Sequence, residues 1–374
     1  MWFESDQNKT SENWRHFAMD TTNAPQIFEH IQESLNFTPY DTKWLPYSCK
    51  FVLSGQTPRM KGILKFMTLE QSSVKELSSV ELGTGVKGTC FNYYHSSSVP
   101  GLAVAEMSGK LYTFDVEKQK VAWEVQAHEG MTNCVDSVGG VLGKGAVELV
   151  SGGRDGKVKL WDPRQTSPVL VLEPPKDGNL DCWTVGLGNA HSTEDRAIAC
   201  GFDNGDVKLF DLRRNSLIWD ANIKNGVCGL EFDRRDIKMN KLAVGTLEGM
   251  LHCFDLRTWH PEAGFAAASH SVQGKPTVWG IKHLPQNREI FASLGGDGTL
   301  RLHLYKYPPQ RALDDGFGKQ KGVAGSLELL NDRKIAEQPV VAWDWNNDKL
   351  GLAVSAALDQ TLKIVIVTRL QSYA

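Results

Sequence analysis

One structural unit recurs along this chain at intervals of 44 to 49 residues. Each copy has an apolar stretch, a tight corner and an alternating stretch, as in LVSGGRDGKVKLWDPR from Leu149. A repeat of 40 to 50 residues with this pattern is typical of β-propeller blades. The corner glycine aligns in five copies, at Gly109, Gly156, Gly205, Gly249 and Gly298.

Two weaker copies flank these five. The first starts at Phe51 and has a longer corner, and the last starts at Leu352 and has Gln360 where the glycine would stand. Asp-Gly and Asn-Gly corners accept the positive φ that tight hairpins need, and the stretch after the corner alternates between two faces as a strand does. The copies therefore predict seven blades.

Each unit also contains an inner strand before the corner and an outer strand after it. Outer strands are predicted at 121–125, 168–172 and 217–221, among others. Stacked blades bury each other's apolar faces, which one blade alone cannot do. The inner strands are predicted at 40–45, 88–93, 132–138, 182–187, 226–232, 277–283 and 339–345.

The last unit lacks an outer strand of its own. The run PQIFEHI (25–31) precedes the first inner strand and is the natural substitute. Its pairing with the last unit would close the ring and protect the sheet edges. We therefore predict an all-β fold, a seven-bladed propeller over residues 25–374 closed by an N-terminal strand, with residues 1–24 as a mobile arm.

Charge and composition limit the classes of partner that the chain can bind. The chain has 41 basic and 44 acidic residues, so no overall basic field favours nucleic acid or a membrane surface. It has no apolar run near 18 residues and no apolar leader core. Its seven Cys form no CxxC pair, which favours reduced structural thiols in the cytosol over disulfides or a zinc site.

Blade 3 carries the residue types of a hydrolase triad. His128, Ser151 and Asp155 lie in one unit with Trp161, and the repeat pattern there resembles WD-repeat proteins. That resemblance implies a structural hydrogen-bond chain through these four side chains, which would satisfy a buried indole and a buried imidazole. No nucleophile elbow of the GxSxG type favours catalysis.

Other blades keep fragments of this set. Cys200 and Asn204 stand at the positions of Ser151 and Asp155, and His303 occupies the position of Trp161. The paired carboxylates Asp314 and Asp315 fall in a Gly-rich loop that looks solvated. We predict no enzyme activity, no cofactor and no metal.

Function is then expected on the surfaces of the ring. Trp183 and Trp279 align with Cys228 on their inner strands, where they either reach the channel mouth or pack between blades. A long insert spans 307–326, and the arm contains Trp2, Phe3, Trp14 and Phe17, which can dock or be disordered. We expect the upper channel mouth and the insert to form the working face. The partner-binding candidates are Arg154, Trp183, Lys224, Asn225, Trp279, Lys319 and Lys321.

Several runs that a propeller does not require resemble one family. DCWTVGLGNA (181–190), DNGDVKLFDLR (203–213), KNGVCGLEFDRRDI (224–237), HLPQNRE (283–289) and GVAGS (322–326) are similar to the WD-repeat-containing protein 92 family, also called Monad. The resemblance extends from about Pro25 to Leu370. His303 departs from the aromatic residue at the blade end, which would weaken one blade seam.

The resemblance implies a cytoplasmic adaptor, with the cilium or flagellum as a second location. Members of the family belong to a prefoldin-like co-chaperone assembly that contains RuvB-like AAA+ ATPases and act in the preassembly of axonemal dynein arms. The implied partners are these co-chaperone subunits and dynein heavy chains, which a scaffold without catalysis would bring together.

Two alternatives remain open at this stage. Arg164, Arg213 and Arg257 each follow a blade-end Asp by two residues, which resembles substrate receptors of cullin-4 ubiquitin ligases. These arginines can equally neutralise the nearby Asp as part of the repeat. The second alternative is a hydrolase that uses His128 and Ser151.

Overall fold

The computed structural model describes residues 23–93, 100–139, 144–174, 180–234 and 236–373. Most of the arm predicted at 1–24, including its four aromatic residues, lies outside the described residues. Within them, seven four-stranded antiparallel sheets form, and their inner strands contact one another in ring order. The predicted seven-bladed propeller is confirmed.

The N-terminal strand closes the ring as predicted. Strand β1 (Gln26–Ser34) pairs antiparallel with β30 (Thr361–Thr368), with Gln26 opposite Thr368 and Ser34 opposite Thr361. Ile27 and Ile31 on this strand are buried, whereas Phe28 on its other face is about half exposed. The first described strand is therefore the outer strand of the last blade.

The first four blades follow in chain order, each with its inner strand first. Blade 1 has β2 (Thr38–Trp44), β3 (Lys50–Gln56), β4 (Gly62–Leu69) and β5 (Val74–Leu82). Blade 2 has β6 (Val86–Tyr93), β7 (Pro100–Glu106), β8 (Lys110–Asp115) and β9 (Lys120–Gln126). Blade 3 has β10 (Thr132–Val138), β11 (Glu148–Gly153), β12 (Val158–Trp161) and β13 (Leu170–Leu172). Blade 4 has β14 (Cys182–Gly188), β15 (Ala197–Phe202), β16 (Asp206–Asp211) and β17 (Ser216–Asn222).

Among the last three blades, blade 6 contains an inserted hairpin and blade 7 is completed by β1. Blade 5 has β18 (Val227–Phe232), β19 (Lys241–Thr246), β20 (Met250–His260) and β21 (Gly264–Ser271). Blade 6 has β22 (Val278–Leu284), β23 (Asn287–Gly295), β24 (Thr299–Lys306) and β27 (Ser326–Lys334), with β25 (Ala312–Asp314) and β26 (Gln320–Gly322) inserted. Blade 7 has β28 (Val340–Trp345), β29 (Leu352–Ala357), β30 and β1, and a 3-10 turn spans Leu370–Tyr373.

The corners adopt the backbone that the sequence predicts. Gly156 has a φ of 71°, and the other four corner glycines are also left-handed. Gln360 holds the same conformation with a φ of 63°, although its Cβ makes that costly. We call the end of the ring that carries these corners the upper face and the opposite end the lower face.

Every inner strand carries a β-bulge near its upper end. In each blade the register skips one residue just after the strand begins. A bulge bends a strand and redirects one side chain. The seven bulged residues are Tyr40, Lys87, Asn133, Trp183, Cys228, Trp279 and Val341, and all seven are half-buried.

Carboxylates on four inner strands bridge to the next blade. Asp41 accepts the backbone N–H of Thr89 at 2.8 Å. Asp136 accepts the backbone N–H of Leu187 at 2.8 Å. Asp344 accepts that of Trp44 at 2.7 Å, across the seam that closes the ring. Glu231 Oε2 accepts the backbone N–H of His283 in blade 6. Since an unpaired buried amide costs about 1–3 kcal/mol, these acids help to fix the order of the blades.

The seam carboxylates differ in their ionisation. Burial raises the pKa of Asp344 to about 6, although Lys43 and Lys282 oppose this. Burial also disfavours the charge of Glu231, but Lys282 at 2.8 Å and His283 outweigh it and lower that pKa to about 2.

The insert at 307–326 is an anchored hairpin rather than a solvated loop. Strands β25 and β26 pair with each other, and the hairpin packs on β20 and β21 of blade 5. Arg311 Nε donates to Asp255 Oδ2 at 2.9 Å, and the hydroxyl of Tyr307 lies 2.9 Å from Lys241 Nζ. Lys241 itself pairs with Asp233 at 3.3 Å, both side chains fully buried. The insert is therefore held to blade 5 by buried charged groups.

The paired carboxylates in this insert are also not both solvated. Asp315 is mostly shielded, and its Oδ2 lies 3.3 Å from His260 Nε2, while its Oδ1 accepts the N–H of Phe317 and of Lys319. Asp314 accepts the N–H of Gly316. Both acids stabilise the turn of the hairpin.

Candidate functional site

The four side chains of the triad-like set in blade 3 form one hydrogen-bonded chain. Trp161 Nε1 donates to Ser151 Oγ at 2.9 Å, and Ser151 Oγ lies 2.8 Å from His128 Nε2. His128 Nδ1 lies 2.8 Å from Asp155 Oδ1. A neutral imidazole that accepts at Nε2 and donates at Nδ1 satisfies every member of this chain.

Asp155 also holds the local backbone. Its carboxylate accepts the N–H groups of Glu129 and Lys157. Burial alone would raise its pKa, but the hydrogen bond with His128 and these two amides outweigh it, so the pKa of Asp155 is lowered. The carboxylate therefore stays charged and joins the loop before β10 to the corner of the same blade.

Access distinguishes this chain from a catalytic triad. Ser151 is 0% exposed and His128 2%, with Trp161 packed over the hydroxyl. A nucleophile needs its substrate's reacting atom within about 3 Å, and a sealed hydroxyl leaves no room for one. The arrangement supports the blade and offers no site for acyl transfer.

His303 in blade 6 reproduces one bond of this chain. Its Nε2 lies 2.9 Å from Ser293 Oγ, the same partner type and distance as Trp161 has in blade 3. The ring stacks on Phe291 at 5.1 Å, and burial lowers its pKa to about 3, so it remains neutral. The ring thus keeps the bond to the serine, but its Nδ1 is buried without a hydrogen-bond partner among the described residues, so a weaker seam stays a prediction.

In blade 4 the fragments of the set make only local contacts. Cys200 Sγ lies 3.8 Å from the carbonyl oxygen of Lys208 on the neighbouring strand. Asn204 Oδ1 accepts the N–H of Asp206 at 3.0 Å, within the corner. Neither residue joins a chain like that of blade 3.

Five of the partner-binding candidates lie on the upper face. Trp183 and Trp279 are bulged inner-strand residues at the rim. Arg154 lies in the corner of blade 3, with its side chain 66% exposed and its Nε 3.9 Å from Asp181. Lys224 and Asn225 lie on the loop beside the corner of blade 4, where Ile223 N donates to Gly205 O.

The other two candidates lie at the opposite end. Strand β24 runs from the upper corner at Gly298 to Lys306, and the insert follows on the lower face. Lys319 and Lys321 are on that insert, and Lys319 forms an exposed ion pair of 3.9 Å with Glu262. The mouth and the insert are therefore two separate surfaces, and the expectation of one working face is wrong.

Sequence reasoning missed one residue of the mouth. Lys87 is the bulged residue of blade 2, and its Nζ lies 5.2 Å from the ring centroid of Tyr40, the bulged residue of blade 1. Alignment of the seven inner strands, rather than of two tryptophans alone, would have placed Lys87 in this ring.

Comparison with known proteins identifies the family. A family model described as WD domain, G-beta repeat matches residues 119–162, which include the hydrogen-bonded chain of blade 3. Dynein axonemal assembly factor 10 of Bos taurus is 46% identical over 356 residues, 94% of this chain and 99% of the relative. The Homo sapiens and Chlamydomonas reinhardtii proteins of that name are each 45% identical, with the same shares covered. This chain belongs to the dynein axonemal assembly factor 10 family.

In this member of the dynein axonemal assembly factor 10 family, the three blade-end arginines contact their own chain. Arg164 binds the carboxylate of Asp162 through Nε at 2.9 Å. Arg213 lies 3.5 Å from Asp195, and Arg257 donates to the carbonyl oxygen of Met239 at 2.8 Å. These contacts account for the arginines within the repeat, so no specific observation favours a ubiquitin-ligase receptor.

Three further features bear on the chemistry of this chain. All seven Cys fall in the described residues and are free thiols. The described residues contain no cluster of three or more His, Cys, Asp or Glu side chains arranged to hold a metal ion. Nor does the described part of the chain include a helix long and apolar enough to cross a bilayer.

Proposed function

We propose that this chain is a non-catalytic scaffold in the preassembly of axonemal dynein arms. In this proposal it acts in the cytoplasm, with the cilium or flagellum as a second location. It links a prefoldin-like co-chaperone assembly containing RuvB-like AAA+ ATPases to its clients, the axonemal dynein heavy chains. No substrate is transformed and no cofactor is used.

The observation that carries the proposal is end-to-end similarity to named dynein axonemal assembly factors. The match covers 94% of this chain and 99% of the Bos taurus and Chlamydomonas reinhardtii proteins. A propeller repeat alone would support only the fold, because many unrelated functions share it.

The two surfaces of the ring support an adaptor rather than a single-site binder. The upper mouth presents Trp183 and Trp279, and large aromatics are enriched among residues that dominate protein interfaces. The lower insert presents Phe317, which is 90% exposed at the tip of an anchored hairpin. Because these surfaces lie at opposite ends, two partners can bind at once.

Affinity capture from the cytoplasm of ciliated cells tests the proposal. We expect the wild-type chain to recover both dynein heavy chains and RuvB-like ATPases. The pair Trp183→Ala and Trp279→Ala should lose one of these partners, and the pair Lys319→Glu and Lys321→Glu should weaken the other. Recovery of neither partner by the wild type would contradict the proposal, and Lys61→Met, on an exposed upper corner, serves as the control.

A further inference from the structure

The Lys87 ammonium points into the channel and has no anionic partner. Its surroundings include Asp41, Cys134 and Cys228, which belong to blades 1, 3 and 5. A side chain within range of three other blades must extend toward the axis of the ring. Across the described residues, no carboxylate lies within ion-pair distance of its Nζ, and the Tyr40 ring is its close neighbour.

Asp41, the acid that acts on Lys87, is already bound to other groups. Asp41 Oδ2 accepts two bonds from Thr89, from its N–H at 2.8 Å and from its hydroxyl at 2.9 Å. Asp41 Oδ1 is bound to Lys43 Nζ at 2.5 Å and to the N–H of Thr42 at 2.9 Å. This carboxylate is committed to the seam between blades 1 and 2.

Burial makes the unpaired charge costly. Desolvation lowers the pKa of Lys87, which means that the folded protein holds this ammonium at a free-energy disadvantage. A carboxylate from a partner protein would offset this disadvantage by pairing with the ammonium. A charge-assisted hydrogen bond in a half-buried site is stronger than the same bond in water.

The surrounding rim is aromatic and offers donors. Trp183 and Trp279 are half-buried beside the channel, and the Trp279 Nε1–H has no partner among the described residues. Asp181 lies at the Trp183 edge of the rim, 3.9 Å from Arg154, and burial raises its pKa. The mouth therefore combines the unpaired Lys87 ammonium with a free indole donor and aromatic walls.

We propose that the upper channel mouth binds one acidic side chain of a partner protein, an Asp or Glu carboxylate seated on Lys87 beside an apolar residue packed on Trp183 and Trp279. A single carboxylate matches the single charge of the Lys87 ammonium. A phosphate dianion matches it less well, because one ammonium leaves the second charge unpaired in a half-buried site. The proposal deepens the proposed function by naming the chemistry that the mouth recognises.

Selection from a display library of random dodecapeptides, fused at their C-termini, tests this with the full chain as bait. We expect the wild type to enrich peptides in which Asp or Glu adjoins an apolar residue. The best of these should bind Lys87→Met at least about 10-fold more weakly. Lys87→Glu should reverse the preference and enrich Lys or Arg, whereas Lys61→Met should select as the wild type does.

Each result of the selection either supports or overturns the proposal. Enrichment without acidic residues, the same acidic enrichment with Lys87→Met, or no enrichment at all would overturn the proposal. Tighter binding when phosphoserine replaces the acid would overturn the choice of a single carboxylate. Lys87→Met should unfold at no lower temperature than the wild type, since it removes a buried charge. The selection contains no dynein, so its failure leaves the assembly role standing, and failed capture of dynein leaves the carboxylate site standing.

Discussion

The hydroxyl of Ser151 supports more of blade 3 than its size suggests, because it satisfies two buried ring nitrogens at once. It accepts from Trp161 and donates to His128. Few other side chains can do both within a strand, since the site needs one donor and one acceptor on a single small atom. At this scale a set of residues that resembles catalysis is explained by hydrogen-bond satisfaction.

We predict that Ser151→Ala lowers the free energy of unfolding by about 2–4 kcal/mol, because two buried ring nitrogens lose their partner. Denaturant unfolding followed by tryptophan fluorescence measures this. Ser355→Ala, at the same position of blade 7 but without such a pair of rings, should cost less than about 1 kcal/mol. Equal effects of the two substitutions would contradict the account of the hydroxyl as a hub.

A second residue-scale prediction concerns pH and Asp344. Its pKa is about 6 in the folded protein against 3.8 unfolded, so the folded state binds more protons between these values. The contribution of Asp344 to stability therefore falls as pH rises from about 4 to 6. Asp344→Asn removes this loss, so its stability relative to the wild type should rise over that window by about 3 kcal/mol. Urea unfolding at pH 4 and pH 7 checks it, and a difference independent of pH would rule out the raised pKa.

At the scale of single elements, the inner strands and the N-terminal clasp could be predicted from the sequence, because alternation and left-handed corners are local properties. The insert could not. Strands β25 and β26 have three residues each, too few for a periodic signal, and they depend on the distant Asp255 and Lys241. The sequence predicted the two tryptophans of the mouth, because large aromatic residues are conspicuous in an aligned strand. It did not predict Lys87, which is recognised only when all seven inner strands are aligned.

The insert supplies the prediction at this scale. Arg311→Ala leaves the fully buried carboxylate of Asp255 without its guanidinium partner. We expect the amides of β25 and β26 to exchange with solvent at least about 10-fold faster, while those of β24 are unchanged. Hydrogen exchange followed by mass spectrometry reports both. Lys319→Ala, which removes only an exposed ion pair, is the control, and equal protection in both variants would show that the anchor is not needed.

At the scale of the whole molecule, stability depends on closing the ring. The seam between blades 7 and 1 joins residues about 300 positions apart, as in the bonds of Trp44 to Asp344. Strand β1 adds ion pairs from Glu29 to Lys363 at 2.6 Å and to Arg333 of blade 6 at 3.4 Å. The two ends of the chain therefore fold as one unit.

We predict that Ile27→Asp, which puts a charge on the buried face of β1, destabilises the ring by about 3 kcal/mol or more and exposes β30 to hydrogen exchange. Phe28→Asp, on the exposed face of the same strand, should be nearly neutral. If both variants are as stable as the wild type, strand β1 is not needed to hold the ring closed.

The central claim is that function resides on the displayed surface and not in the Ser–His–Asp chain. Replacement of the gene in a flagellated cell, followed by electron cryotomography of the axoneme, measures it as the fraction of dynein arms present. We predict that Ser151→Ala cells grown at low temperature keep their arms, whereas cells with Trp183→Ala and Trp279→Ala lose most of them despite a folded protein. Arms lost with a folded Ser151→Ala protein and kept with the tryptophan pair replaced would contradict the account.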